Sequence, residues 1–392
     1  MKRFCAAFVL GFFFVSAFAV RPLSDQAQVS LLTCSPCNEA IYTKFGHTSI
    51  RVADSENNFD IVFNYGVFSF SQPGFIPRFI KGETDYELGI SDTDFFLEIY
   101  RLRGSLVEEQ VLNLTPEERE RLWQALMENY EPENRYYRYN FVFDNCATRP
   151  YQMIESCCSS TVYWDIDSIE TTYRTLFAEK LGYNTWSNFG VDILIGSLAD
   201  KPIGLGKEKF FLPSYLKQSA QNAYIGKVEK RSLVKTNKRY PTMKEQESKL
   251  PFLVSPIGVC CFILLLVALL SFYEYKRNIH LKWIDSLLFF VAGFCGIIIF
   301  YLMFFSQHPL VAYNYNILWL NPLLIFLSVV VWWKPRRLLS IMHSFNLLFI
   351  VATFVLCATK TQVFHIAFLP LMTTLFLRSL LYMLEKMVSR QV

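Results

Sequence analysis

"HTSIRVADSENNFDIVFNYG", residues 47–66, is the stretch on which the reading of the fold turns. Polar and apolar residues alternate on both sides of "SENN", the pattern of two antiparallel strands joined by a tight turn. Pairing Asp54 with Phe59 across that turn sets His47 opposite Gly66 and makes Asn64 its diagonal neighbour on the same face. A slip of one residue would send the whole set to the other face. His47 is one of five histidines in 392 residues and the only one before residue 280.

Working outward, "QVSLLT" (28–33) reads as a preceding strand, and "NEAIYTKFG" (38–46) as a short helix or turn closed by Gly46. "VFSFSQPGFIPRFIKGE" (67–83), rich in Phe and broken by prolines, reads as a long surface loop. "TDYELGIS" (84–91) and "SLVEEQVLNL" (105–114) alternate as further strands. "TPEERERLWQALMENY" (115–130) is a helix with Thr115 as cap, Pro116 at the first position and Glu118 completing a capping box. "NRYYRYNFVFDNCATRPYQMIESCC" (134–158) passes from an aromatic strand into a helix. The expected fold is an α+β domain with a small antiparallel sheet plus helices, without internal repeats.

The two ends set the compartment. "MKRF" followed by a short apolar run and Ala17-Phe18-Ala19 is the layout of a cleavable signal peptide over residues 1–19. After residue 250 come five apolar stretches, 252–273, 283–305, 315–333, 341–359 and 362–380, each near the roughly 20 residues that cross a bilayer. "YEYKRNIHLK", "KPRR" and the tail "KMVSRQV" are basic, whereas "SQHPLVAYN" carries no Lys or Arg. The positive-inside rule therefore puts the basic loops and the C-terminus in the cytoplasm, and the first half of the chain outside.

The expected order is a signal peptide at 1–19, a periplasmic domain at 20–205, a basic linker at 206–250 and a five-helix transmembrane domain at 251–392. The linker carries eleven Lys and Arg against four Glu. Most simply it is a solvated segment, and at an anionic surface each charge would add about 1 kcal/mol of attraction. The net charge of +4 gives no ground for a nucleic-acid partner, and none is expected.

Cys146, in "FVFDNCATR" (141–149), stands where a strand ends and a helix begins. Unpaired N–H groups and the positive dipole end at a helix start favour a thiolate. Pro150 fits if the helix begins near Thr148, with Cys146 just ahead of it. A Cys nucleophile, His47 as base and Asn64 orienting the imidazole would make a Cys-His-Asn arrangement. Each also has a plainer reading, since a strand histidine or a buried thiol is commonly structural.

Taken together, "LLTCSPCNEAIYTKFGHTSIRV", "VFNYGVFSF", "RFIKGETDYELG", "LNLTPEERERLWQAL", "NRYYRYNFVFDNCATR" and "FLPSYL" resemble the N-terminal periplasmic domain of the Lnb-type lipoprotein N-acyltransferases. The membrane half is similar in layout. The order of His and Cys is also similar to circularly permuted NlpC/P60-like, papain-like thiol enzymes, including the lecithin:retinol acyltransferase group. The resemblance implies N-acylation of the lipid-modified N-terminal cysteine of exported lipoproteins, with Cys146 as nucleophile and His47 as base. A membrane phospholipid would be the acyl donor, through a Cys thioester, and no cofactor is implied. Arg78 and Lys81, in the Phe-rich loop, and Asn145 and Arg149, flanking Cys146, are the candidates for contacting substrate.

Three alternatives stay open. The same Cys-His pair could hydrolyse cell-wall peptides, as NlpC/P60 enzymes do. "CSPC" (34–37) fits a thiol–disulfide oxidoreductase, although a new strand follows too soon for a thioredoxin-type helix. Cys34, Cys37, His47 and Cys146 have the ligand types of a zinc site. In an oxidising compartment the five exported cysteines suggest one free nucleophile and two disulfides, with Cys34 or Cys37 bridging to Cys157 or Cys158.

Overall fold

A computed structural model describes residues 21–69, 73–242, 251–333 and 336–388. The expected signal peptide at 1–19 lies outside the described residues. Strands β1 (Gln28–Cys34), β2 (His47–Asp54), β3 (Phe59–Val67), β4 (Asp85–Asp92), β5 (Val107–Leu112) and β6 (Tyr136–Arg138) form most of one sheet. Its order is Val234–Tyr240, β5, β1, β2, β3, β4, β6, and its pairings are antiparallel. The hairpin pairs Asp54 with Phe59 and runs to Ile50–Phe63, the register that the turn predicts.

The strand alternation sorts residues onto two faces. Val29, Leu31, Ile50, Val52, Phe63, Tyr65 and Leu88 share one buried cluster with Leu122, Trp123 and Leu126 of α3 (Pro116–Tyr130). Thr115 and Glu118 cap α3 reciprocally, so two of its orphan N–H groups are satisfied. On the other face Leu32, Cys34 and Val62 lie under Phe96 of α2 (Thr93–Leu102). α2 begins at Asp92, whose carboxylate accepts from the N–H groups of Asp94 and Phe95.

Two expectations change. The Phe-rich stretch is not loop throughout: Phe75–Lys81 is a helix, α1. Pro77 stands in its first turn, where a missing N–H goes unnoticed, and Gly82 ends it in the left-handed conformation. Nor is the described part of the expected linker, 206–242, an unstructured connection; residues 243–250 lie outside the described residues. Pro213–Asn222 is a helix, and Val234–Tyr240 pairs with β5 as the edge strand of the sheet. Its positive charges are used there: Arg239 and Lys217 pair with Glu108, and Arg231 with Glu118. Charged side chains on an edge strand also discourage pairing with other chains.

The exported half continues with α4 (Thr148–Cys157), α5 (Tyr173–Leu181), α6 (Trp186–Leu194) and α7 (Pro213–Asn222). The membrane half comprises α8 (Pro256–Arg277), α9 (Lys282–Phe305), α10 (Asn316–Trp319), α11 (Leu324–Val330), α12 (Arg336–Ala358) and α13 (Phe368–Val388). Among the described residues three helices, α8, α9 and α12, are long and apolar enough to cross a membrane, and two apolar helices are shorter. Their outward apolar residues, such as Phe262, Leu265, Phe290 and Phe294, are exposed. Gly296 of α9 lets α10 approach closely, since a Cβ there would meet the Leu320 carbonyl at 1.9 Å.

The two halves meet through backbone. The Gln307 N–H donates to the Lys81 carbonyl at 2.7 Å, and the Gly196 N–H to the Leu310 carbonyl at 2.7 Å. His308 donates from Nε2 to the Phe79 carbonyl at 2.6 Å, so this histidine fastens α1 to the outer end of α9. Asn314 and Asn316 donate to the carbonyls of Ile193 and Asp192.

Candidate active site

The turn-determined register carries His47, Ser49 and Asn64 to one face of the sheet. There His47 Nε2 lies 3.3 Å from Asn64 Oδ1. The same oxygen accepts from Ser49 Oγ at 2.6 Å, while Asn64 Nδ2 donates to Ser91 Oγ at 3.2 Å. The amide is thereby oriented with its oxygen towards His47. An acceptor at Nε2 holds the imidazole proton there, which leaves the lone pair of a base on Nδ1. The Tyr100 ring of α2 lies parallel to the imidazole, with centroids 6.1 Å apart.

Cys146 sits two residues ahead of α4, which starts at Thr148 and carries Pro150 in its first turn, as the sequence predicts. Asn145 builds the turn that presents it. Its Oδ1 accepts from the N–H groups of Ala147 and Thr148 at 2.8 and 2.9 Å, and its Nδ2 donates to the carbonyls of Phe141 and Phe211. Buried and fully hydrogen-bonded, Asn145 positions Cys146, and it also lines the cavity that holds His47 and Cys146. It also occupies the N–H groups at the helix start. The N–H groups that point at the Cys146 sulfur are those of Thr48 and of Cys146 itself.

Gly66 packs against the cysteine, and its backbone conformation is what calls for glycine. Its φ of 92° is in the left-handed region, and a Cβ there would lie 3.7 Å from Cys146 Cβ and 3.4 Å from the Tyr139 ring. Burial sets the protonation of the pair. It pushes the Cys146 thiol up to about 11, against the two N–H groups, and pulls His47 down to about 4, against the Asn64 contact. At rest the thiol and the imidazole, which line the same cavity, are therefore both neutral, unlike the thiolate that a helix start alone would favour.

His47, Asn64 and Cys146 line one cavity of about 1640 Å³. That exceeds the roughly 300–1,000 Å³ of ordinary small-molecule clefts. Its walls are apolar and come from both halves of the chain: Phe75, Phe79 and Ile80 of α1, Phe95 and Ile99 of α2, and Ile297, Tyr301 and Leu302 of α9. Ile76, Phe79, Ile80 and Phe95 remain largely exposed beside it.

The remaining expected contacts fall elsewhere. Arg78 and Lys81 ride on α1 without lining the cavity, Arg78 lying 4.0 Å from Asp85 and Lys81 being exposed. Arg149 pairs bidentately with Asp144 at 2.6 and 2.8 Å, and its guanidinium lies 3.6 Å from the Tyr137 ring centroid, outside the cavity. The sequence reading missed Tyr100 and Arg103, which do line it. Their signal was present in "TDFFLEIYRLRG" (93–104), where an Asp cap precedes apolar residues at helical spacing.

The described cysteines are free. Cys34 lies opposite His47 in the β1–β2 ladder, whereas Cys157 ends α4. Among the described residues no bridge joins Cys34 or Cys37 to Cys157 or Cys158, contrary to the expected pairing. Among the described residues no group of three or more His, Cys, Asp or Glu side chains is placed to hold a metal ion.

Comparison with known families gives two matches in chain order. Residues 23–179 match the Lnb N-terminal periplasmic domain, and residues 245–389 match the Lnb transmembrane domain. No curated protein and no solved structure shows significant similarity to the chain. A periplasmic domain with a cavity lined by Cys146, His47 and Asn64, and a transmembrane domain that completes that cavity, fit a multi-pass inner-membrane protein. With both domains present and in that order, the chain belongs to the Lnb family.

Proposed function

We propose that this lipoprotein-modifying membrane enzyme is an N-acyltransferase. It moves an acyl chain from a membrane phospholipid, through a thioester on Cys146, to the α-amine of the lipid-modified N-terminal cysteine of exported lipoproteins. The observation that carries this reading is the Cys-His-Asn set inside a large apolar cavity walled partly by a membrane helix. An apolar cavity of that size suits acyl chains and offers little to a polar cell-wall peptide.

In the first half-reaction the thiol proton passes to Nδ1 of His47 as Cys146 Sγ attacks the ester carbonyl. The N–H groups of Thr48 and Cys146 hold the oxyanion. Collapse breaks the ester C–O bond, and the lysophospholipid oxygen leaves with the proton from His47. In the second half-reaction the acceptor amine attacks the thioester and His47 takes its proton. Breaking the C–S bond then expels the thiolate, which recovers that proton as the amide is released. Asn64 keeps the imidazole oriented through both halves. No cofactor enters.

The membrane half is read as five spans, with α10 and α11 forming one span interrupted at Asn321-Pro322. Residues 1–19 are a cleaved signal peptide and the C-terminus is cytoplasmic. His on an early strand and Cys at a later helix start correspond to a permuted NlpC/P60-like arrangement. The test is to reconstitute the full chain with phospholipid vesicles and a synthetic diacylated lipopeptide. A mass increase of one acyl chain on the peptide amine supports the reading. Free fatty acid with unmodified peptide would make the enzyme a hydrolase instead.

A further inference from the structure

Arg103 lines the cavity that holds His47 and Cys146. It caps the C-terminal end of α2, and its guanidinium carbon lies 5.4 Å from the Tyr100 ring centroid, the ring that parallels His47. Its charge is felt at His47, Cys34 and Tyr100. Arg138, another arginine lining the cavity, faces Asp85 at 2.8 Å. A guanidinium has five N–H donors in a fixed fork suited to phosphate. Arg103 is exposed, its Nε lies 2.9 Å from a Glu39 carboxylate oxygen as an ion pair, and among the described residues its terminal nitrogens form no hydrogen bond.

Spare donors at the edge of an apolar cavity call for an anion. The acyl donor and the acceptor both carry acyl esters on glycerol, and both enter the same site. What separates them chemically is the phosphodiester, a few bonds from the ester that Cys146 must attack. We infer that Arg103 binds the phosphate of the donor phospholipid. It thereby seats that lipid's ester on Cys146 and keeps the phosphate-free acceptor from being deacylated. This inference rests on the acyltransferase reading.

The test uses full-length protein in mixed micelles without acceptor. The rate of acyl-adduct formation is followed by intact mass, with either phosphatidylglycerol or a diacylglycerol of the same chains as donor. The wild type should react about tenfold faster with the phospholipid, the scale of a charge-assisted hydrogen bond from a solvent-accessible guanidinium. Arg103→Gln should bring the phospholipid rate down to the diacylglycerol rate and leave the latter unchanged, which also shows that the variant is folded. Arg103→Lys should retain part of the preference, and Arg138→Gln all of it.

Equal slowing of both donors in Arg103→Gln would overturn the assignment, as would a wild type that does not discriminate. Added inorganic phosphate separates a headgroup site from one built for free phosphate. Competition relieved by more phospholipid supports the headgroup, whereas a diacylglycerol rate raised to that of phospholipid would overturn it. A wild type that forms no adduct with either donor would refute the acyltransferase reading itself, and this inference with it.

Discussion

The two faces of the β2–β3 hairpin use one alternation for opposite ends. On one face Ile50, Val52, Phe63 and Tyr65 are buried against α3, where Phe59 stacks on Trp123 with centroids 5.2 Å apart. Each such side chain contributes roughly 1.5–3 kcal/mol by leaving water. On the other face stand His47, Ser49, Arg51, Asp60 and Asn64. A covered face tolerates polar groups only when they are partnered. Arg51 is, by Asp60 and Glu109, and Asn64 is, by Ser49 and Ser91. His47 opens on the cavity. The apolar face therefore holds the fold, and the polar face holds one imidazole in a single orientation.

If that division is right, substitutions on the polar face should remove activity and spare stability, and those on the apolar face should do the reverse. Cys146→Ser should abolish acyl transfer in the lipopeptide assay while leaving the thermal unfolding midpoint near that of wild type. His47→Ala should lower the rate about 10²–10⁴-fold, the usual share of a general base. Asn64→Ala should cost about a hundredfold through misplacement of the ring, in kcat rather than KM.

A pH profile sharpens the comparison. With His47 held near 4 and Cys146 near 11, the neutral pair persists between those values. Adduct formation should fall as pH drops through about 4, where a protonated imidazole can no longer accept the thiol proton. A midpoint near 6.5, the ordinary histidine value, would mean that burial does not govern His47. The smallest effect on turnover should come from Leu126→Ala on α3, expected to cost about 2–5 kcal/mol of stability by denaturant unfolding while activity per folded molecule stays the same.

The hairpin was legible because a four-residue turn and strict alternation leave one register that buries the apolar set. The same parity made Asn64 findable from His47. The start of α4 was legible from Pro150, which belongs in a first turn. Where sequence reading failed, the deciding contacts are distant in the chain. α1 contains a proline and reads as loop, yet it is held by Gln307 and His308. The basic segment after residue 206 reads as solvated, yet its charges meet Glu108 and Glu118 across the sheet. The positioning role of Asn145 was hidden because its partners at Phe141 and Phe211 are backbone carbonyls, which no side-chain pattern announces. Arg103 was missed because its neighbourhood exists only once α2 covers the sheet.

The most direct test of the central claim is intact-protein mass spectrometry after incubation with phospholipid vesicles and no acceptor. The account predicts a single acyl group on Cys146, released by hydroxylamine and absent from His47→Ala. Unmodified Cys146 with intact phospholipid would contradict it, and with it the part assigned to the cavity shared between the two domains.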